Sequence, residues 1–380
     1  MTLISEQLAG LEIVITCGSG GVGKTTMSAA LGIGIAAKYD KRVLVLTVDP
    51  AKRLATALGI KSIGADPVVI SRVRLRRAGI DASGDVSAAM LDMKSAWDHI
   101  VERNAPDRKT AERILANKIY QRISDAFVGA QEYAAMDTLF ELHQAGEYDL
   151  LVVDTPPSRN ALDLLEAPTR LTDYVGARLL RLLSGPSAFG LRAASFAAGP
   201  VLRLADRLLG SELLGQVAEF ARDMEHLYGG LQQRARQMYR LLRSPQVGFV
   251  VVTTLEPGPF AEAEFFCAKL RELTMPLRAI VVNRTLPESL RDPGGLAVAR
   301  ALADNGHVAA WLSNELGFRV LTDAARHLGE THCMLNTLAQ RDARQLTRLA
   351  RLGQVPTATV PLFTDDPPEL EGVGRIAGLL

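Results

Sequence analysis

Nine residues, Gly18-Ser19-Gly20-Gly21-Val22-Gly23-Lys24-Thr25-Thr26, constrain this chain more than any others. They follow Leu11-Glu12-Ile13-Val14-Ile15-Thr16-Cys17, which reads as a buried strand, and precede residues 27–38, which read as an amphipathic helix. Strand, glycine loop and helix in that order form a phosphate-binding P-loop. Its glycines turn backbone N–H groups toward one point, where an anion sits at a helix N-terminus. In this reading Gly20, Gly21, Val22, Gly23 and Thr26 belong to the cradle. Lys24 adds a point charge for the β- and γ-phosphates of a nucleotide, and the Thr25 hydroxyl is placed to ligate Mg²⁺. A glycine-rich turn alone could be structural; the full GxxxxGK[ST] spacing between strand and helix argues against that.

The rest of the chain repeats the alternation of strand and helix. Val43–Thr47, Val86–Leu91, Leu150–Val153, Val247–Thr253, Ala279–Val282 and Thr357–Val360 are short apolar runs separated by helical stretches. The fold class expected is α/β: a doubly wound, mostly parallel sheet of P-loop NTPase type with a helical insert subdomain. Residues 1–380 read as a single P-loop ATPase domain, with helical segments at 93–145 and 160–243 inserted within it. Residues 67–84 read as a mobile basic linker. The centre of the second insert, 175–210, is dense in leucine, punctuated by arginines and broken at Gly185-Pro186 and Gly199-Pro200. It reads either as an exposed surface for a client, partner or membrane headgroups, or as a packed layer whose arginines snorkel outward.

Such sheets bind ligands at the carboxyl ends of their strands. Asp49, Asp154 and Asn283 are expected at such ends, beside the P-loop. Asp154 is the natural carboxylate for Mg²⁺, and Thr25, Asp49 and Asp154 form the candidate metal set. Asp49 is placed to orient an attacking water, and so with Lys24 is the candidate catalytic pair; its other reading is a helix cap or turn acid. Asn283 either offers its amide to an adenine edge or serves as a turn residue.

Around these positions the chain resembles a known family. Residues 18–26 have the form GxGGVGKTT, which resembles the deviant Walker A loop of MinD/ParA-like ATPases. Asp49-Pro50-Ala51-Lys52-Arg53-Leu54 is similar to a first switch, and Asp154-Thr155-Pro156-Pro157-Ser158-Arg159 to a second. Val281-Val282-Asn283-Arg284 resembles an adenine-contacting segment, and Val360-Pro361-Leu362 the loop over the base, which adds Pro361 and Leu362 to the nucleotide-binding residues. Together they resemble the arsenite-pump ATPase (ArsA) family, which includes the tail-anchored-protein targeting ATPase. The resemblance is closest to the paired ArsA-like ATPases of actinobacteria, through Met90-Leu91-Asp92-Met93, Gln131-Glu132-Tyr133 and the Asp154 segment. It implies Mg²⁺-dependent ATP hydrolysis that opens and closes a dimer, coupled to transport or delivery of an anion or protein client. The alternatives are a membrane-protein targeting chaperone and a low-activity nucleotide-binding scaffold of a heteromeric ATPase.

Departures from the family pattern matter. Cys17, Cys267 and Cys333 form neither a metalloid-binding cluster nor a CxxC zinc clasp, and the first two read as packing residues. The second switch lacks the usual DTAPTGH text. Ser19 stands where the class carries a second, signature lysine that resembles an intermonomer finger. This implies a heterodimer with an ArsA-like paralogue that supplies the lysine; the other reading is a homodimer using another cation, such as Lys52 or Arg159. A net charge of +1, without a large basic cluster, argues against nucleic acid as a partner. With 48% hydrophobic residues but no apolar run near the ~18 that a span needs, and no leader pattern at residues 1–7, a cytoplasmic protein is expected, peripheral at most to the inner face of a membrane.

Overall fold

The computed structural model describes residues 3–49, 53–117, 130–155, 230–304, 307–308, 311, 314–315, 322–365 and 369–380. Among the described residues eight strands form one sheet: β1 (Ile13–Cys17), β2 (Arg42–Thr47), β3 (Val68–Ile70), β4 (Asp85–Met90), β5 (Leu150–Asp154), β6 (Val247–Thr253), β7 (Leu277–Thr285) and β8 (Thr357–Pro361). Their order is β3-β4-β2-β5-β1-β6-β7-β8. Every pairing is parallel except β3 with β4, which is antiparallel at the edge. The helices are α1 (Ile4–Leu8), α2 (Lys24–Tyr39), α3 (Arg53–Ala57), α4 (Arg72–Arg77), α5 (Met93–Asn104), α6 (Arg108–Ala116), α7 (Ala130–Ala145), α8 (230–242), α9 (Pro257–Glu272), α10 (Pro293–Asp304), α11 (Thr322–Gly353) and α12 (Glu369–Ala377).

The strands read as apolar runs because each feeds two cores. Successive side chains alternate faces. Ile13, Ile15, Leu44, Leu46, Leu151, Val153, Phe249 and Val251 enter one core with α5 to α9. Val14, Val43, Val45, Leu150, Val152, Val250 and Val252 enter the other with α1 to α4 and α12. Burying such a side chain contributes roughly 1.5–3 kcal/mol, so both faces must be covered. On the first face Asp137 of α7, 2% exposed, accepts from Arg103 of α5 at 2.9 Å and Arg234 of α8 at 2.7 Å. Both guanidiniums also reach Glu141. This network ties three helices together through buried, mutually compensated charge.

Three sequence expectations change here. Helix α2 is not amphipathic: it is buried on almost every side, because α12 packs across its outer face, with Ala377 Cβ only 3.4 Å from where a Cβ on Gly34 would lie. Residues 67–84 are no linker, since they form β3 and α4, pinned by buried Ile70, Leu75, Ile80 and Ala82 and by the Ser71 cap on Arg74 N–H. The strand expected at 279–282 runs from Leu277 to Thr285, so Asn283 lies inside β7, which stays paired with β8 as far as Thr285 and Pro361. The 93–145 segment contains α5, α6 and α7. Of the 160–243 segment only α8 and Arg243 fall among the described residues; 175–210 lies outside them, as do Lys52 and Arg159. Among the described residues no helix is long and apolar enough to cross a membrane.

Candidate active site

Sheet register brings the polar strand ends together. Thr16 and Thr47 each sit level with Asp154 on the neighbouring strand. All three continue the alternation of Val14, Val45 and Val152, so they point to the face on which α2 lies. The P-loop delivers α2 there. Gly18 has φ +150°, and a Cβ on it would collide with the Val252 carbonyl. Gly23 has φ +95°, and its Cβ would lie 2.6 Å from Asn283 Nδ2. Both positions therefore require glycine.

Asp154 is the hub. Its Oδ2 accepts from Thr25 Oγ1 at 2.7 Å and from Thr47 Oγ1 at 3.1 Å. Thr47 Oγ1 also accepts from the Asp49 backbone N–H at 3.2 Å, which joins the ends of β2 and β5. Asp154 Oδ1 is buried and has no hydrogen-bond partner among the described residues. Burial pushes the carboxyl up to about 6, against the pull of both hydroxyls and of Lys24. An unpartnered, buried carboxylate oxygen beside a threonine hydroxyl fits a hard divalent cation, which favours oxygen ligands. The next residue is anchored too: Thr155 Oγ1 donates to Thr16 O at 2.7 Å.

Lys24 is buried, and Nζ donates to Ser19 O at 2.8 Å. Burial holds its ammonium below the usual lysine range, with Asp154 opposing. Ser19 is 6% exposed and its Oγ has no partner among the described residues. Asp49 stands at the mouth of the site, where Arg53 Nη1 donates to its Oδ2 at 3.0 Å.

A cleft of about 1110 Å³ runs from Gly21, Gly23, Lys24, Thr25 and Thr26 past Asp49 and Arg53 to Asn283, Pro361, Leu362 and Phe363. Gly20, Val22 and Asp154 do not line it. Val22 is buried, and its carbonyl accepts from Asn283 Nδ2 at 2.9 Å, while Asn283 Oδ1 accepts from Arg284 N–H at 2.9 Å. Asn283 thus braces the P-loop against β7. Leu362 N–H donates to Thr285 O at 3.0 Å, which holds the 361–363 turn over the far end.

The sequence model of one family, described as anion-transporting ATPase (ArsA), matches residues 11–305. The chain belongs to this family. It is similar to the ATPase ASNA1 homolog of Entamoeba histolytica, 27% identical over 282 residues that cover 73% of this chain and 77% of that one. An uncharacterized protein of Streptomyces coelicolor is 30% identical over 289 residues, 73% of this chain and 63% of that one. The ATPase GET3 of Malassezia globosa is 25% identical over 276 residues, 73% of each chain. The chain is thus an ATPase of the ArsA family, and its α/β sheet is the fold that the P-loop implied. The P-loop, Asp49, Asp154 and Asn283 fall within the match; Pro361 and Leu362 lie beyond it.

Among the described residues no group of three or more His, Cys, Asp or Glu converges to hold a metal ion, and Cys17, Cys267 and Cys333 are free thiols. Sequence reasoning assigned no site role to Thr47 or Arg53. Thr47 had a signal, as a hydroxyl closing an apolar run two residues before Asp49. Arg53 lay within the segment similar to a first switch, but nothing in that text pointed to its pairing with Asp49.

Proposed function

We propose that this chain binds ATP in the cleft between the P-loop and the 361–363 turn, with Mg²⁺ held by Thr25, Asp154 and Asp49, and that Asp49 orients the hydrolytic water. The observation that carries this reading is Asp154 Oδ1, buried beside the Thr25 hydroxyl without a partner among the described residues. Bound Mg²⁺ supplies charge neutralisation for the phosphates. Gly20, Gly21, Val22, Gly23, Lys24, Thr25 and Thr26 bind the phosphate chain; Asn283, Pro361 and Leu362 contact the base. Thr47 couples Asp49 to Asp154 through one hydroxyl, so a shift at either strand end is felt at the other. In this reading residues 1–380 act as one P-loop domain. Hydrolysis opens and closes a dimer, and with it the helical segments 93–145 and 160–243, to move an anion or a protein client. The relatives' printed names, such as the putative arsenical pump-driving ATPase 2 of Aquifex aeolicus, 22% identical, support the class of task and leave the cargo open.

Ser19 favours a second subunit that differs from this one. Its short, uncharged and buried side chain supplies no cation to a facing site. Loss of a trans-acting cation from phosphoryl transfer costs roughly 10³–10⁵ in rate by analogy with arginine fingers. A paralogue carrying lysine at the equivalent loop position would complete the site built here, and this chain alone would be the low-activity, scaffold-like partner. The test is ATP turnover of the pure chain against protein and Mg²⁺ concentration. Weak turnover that rises by orders of magnitude in Ser19→Lys is expected. Robust turnover of the unaltered chain, indifferent to Ser19→Lys, would overturn the heterodimer, and absence of Mg²⁺-dependent ATP binding would overturn the whole reading.

A further inference from the structure

Arg284 departs from the backbone of the strand that carries it. Its φ is +57°, in a region where a side chain crowds its own backbone and glycine is the usual occupant. Among the described residues three other non-glycine positions share a positive φ: Asp40, Thr274 and Gln354. Each lies just past a helix, α2, α9 or α11, where a left-handed residue is an ordinary ending. Arg284 lies inside β7. The ladder slips at the same point: Val282 sits level with Thr359 but Thr285 with Pro361, so β7 carries one residue more than β8 over this stretch. Such a bulge re-aims a side chain. Ile280 and Val282 enter the α5–α9 core, and strict alternation would send residue 284 to that face. Arg284 instead lines the cleft, with residues of α2, α3 and α12 and the 361–363 turn. Asn283 Oδ1 accepts the Arg284 backbone N–H at 2.9 Å and so holds the bend. Beyond that bond Arg284 makes no hydrogen bond or ion pair among the described residues, and it is exposed.

We infer that Arg284 binds the nucleotide base by its face: the bulge lays the guanidinium against the π-system of the base, adding affinity without reading which base it is. The position favours the base over the phosphates. Asn283 on one side braces the P-loop, while the carbonyl of Thr285 on the other holds the turn at the far end of the cleft. A guanidinium is planar, weakly hydrated and stacks well on aromatic rings. Every base offers such a face, so this contact is indifferent to base identity. The Asn283 amide, which could read a base edge, already has each end in a structural bond, Nδ2 to Val22 O and Oδ1 to Arg284 N–H. A left-handed arginine costs stability that a glycine would not, and strain of this kind gathers at ligand sites. This inference rests on the reading of the cleft as an ATP site.

The experiment is calorimetric titration of the full chain with a non-hydrolysable ATP analogue and with inorganic triphosphate, both with Mg²⁺. The main variant is Arg284→Gly, because glycine takes a positive φ without strain and only the side chain is lost. Its melting temperature is expected to be no lower than that of the unaltered chain. Binding of the ATP analogue should weaken about fivefold to tenfold, that of a GTP analogue by the same factor, and that of triphosphate by less than about twofold. Arg284→Lys, which keeps the charge but not the plane, should recover only part of the loss. Unchanged binding of the ATP analogue in Arg284→Gly would overturn the inference. Equal losses for the analogue and triphosphate would do the same by moving Arg284 to the phosphates, and a loss confined to one base would make it a reader of edges. If the unaltered chain binds neither the ATP analogue nor triphosphate, the nucleotide reading itself fails and the base contact goes with it.

Discussion

The two ends of the cleft are built in opposite ways. The phosphate end comes from nine consecutive residues and the ends of three central strands; Lys24, Thr47 and Asp154 are buried, and the Thr25 and Thr47 hydroxyls both bond to Asp154. The far end comes from residues about 260 positions and more downstream, Asn283 and the 361–363 turn, and Leu362 there is 52% exposed. Charge on a phosphate must be met by groups fixed in advance, since their reorganisation costs energy at the moment of reaction. A nucleobase asks mainly for apolar contact and a few hydrogen bonds, which a looser turn supplies. Tolerance of substitution should therefore rise from one end to the other.

The largest effect is expected at Lys24→Ala, which removes the only cation of the nine-residue loop. Analogue binding should fall by at least about a hundredfold and turnover vanish, as read by calorimetry and phosphate release. Retained affinity at matched Mg²⁺ would break the comparison at its strong end. Asp49→Asn comes next: turnover should drop by roughly 10²–10⁴ with ATP binding retained, because the amide preserves shape and loses the charge that orients water. A normal rate would assign water activation to another group.

At the junction of the two ends, Asn283→Ala removes the brace on the Val22 carbonyl. A loss of about 1 kcal/mol in stability and a several-fold loss in ATP affinity are expected from thermal melts and titration. Affinity for inorganic triphosphate should fall too, since the brace holds the P-loop; if only ATP binding suffers, Asn283 acts on the base alone. The smallest effect belongs to Leu362→Ala, about twofold to threefold in ATP affinity and none for triphosphate, because contact with a base covers only part of this exposed leucine. A tenfold loss there would show that the turn closes over the ligand.

How much could be read from the sequence follows the same division. The spacing from Gly18 to Thr26 fixes a loop because phosphate chemistry admits few solutions. Asp49 and Asp154 were legible because an acid that ends an apolar run on a central strand has little else to do. The α/β alternation was legible for the same reason that β1, β2, β5 and β6 are apolar on both faces. The region from Val68 to Arg77 was misread because four arginines crowd α4, although Ile70 and Leu75 alone decide its burial. The helix after the P-loop was misread because the chain that covers it, α12, lies some 340 residues later. The Arg53–Asp49 pair and the double use of the Thr47 hydroxyl depend on angles that no spacing rule contains.

The alternation of the strands between two cores has a consequence for anyone who edits this protein. Val152 and Val153 are joined by a single peptide bond, yet they belong to separate cores divided by the sheet. Changes at adjacent positions should therefore combine as if they were far apart, with free-energy effects that add to within about 0.5 kcal/mol. Changes two positions apart, such as Leu151 with Val153, share neighbours and should interfere. The sheet works as a partition: the helices on the α5–α9 side can be rebuilt as one problem and the nucleotide side left as another, provided that Asp154, where the partition ends, is left alone.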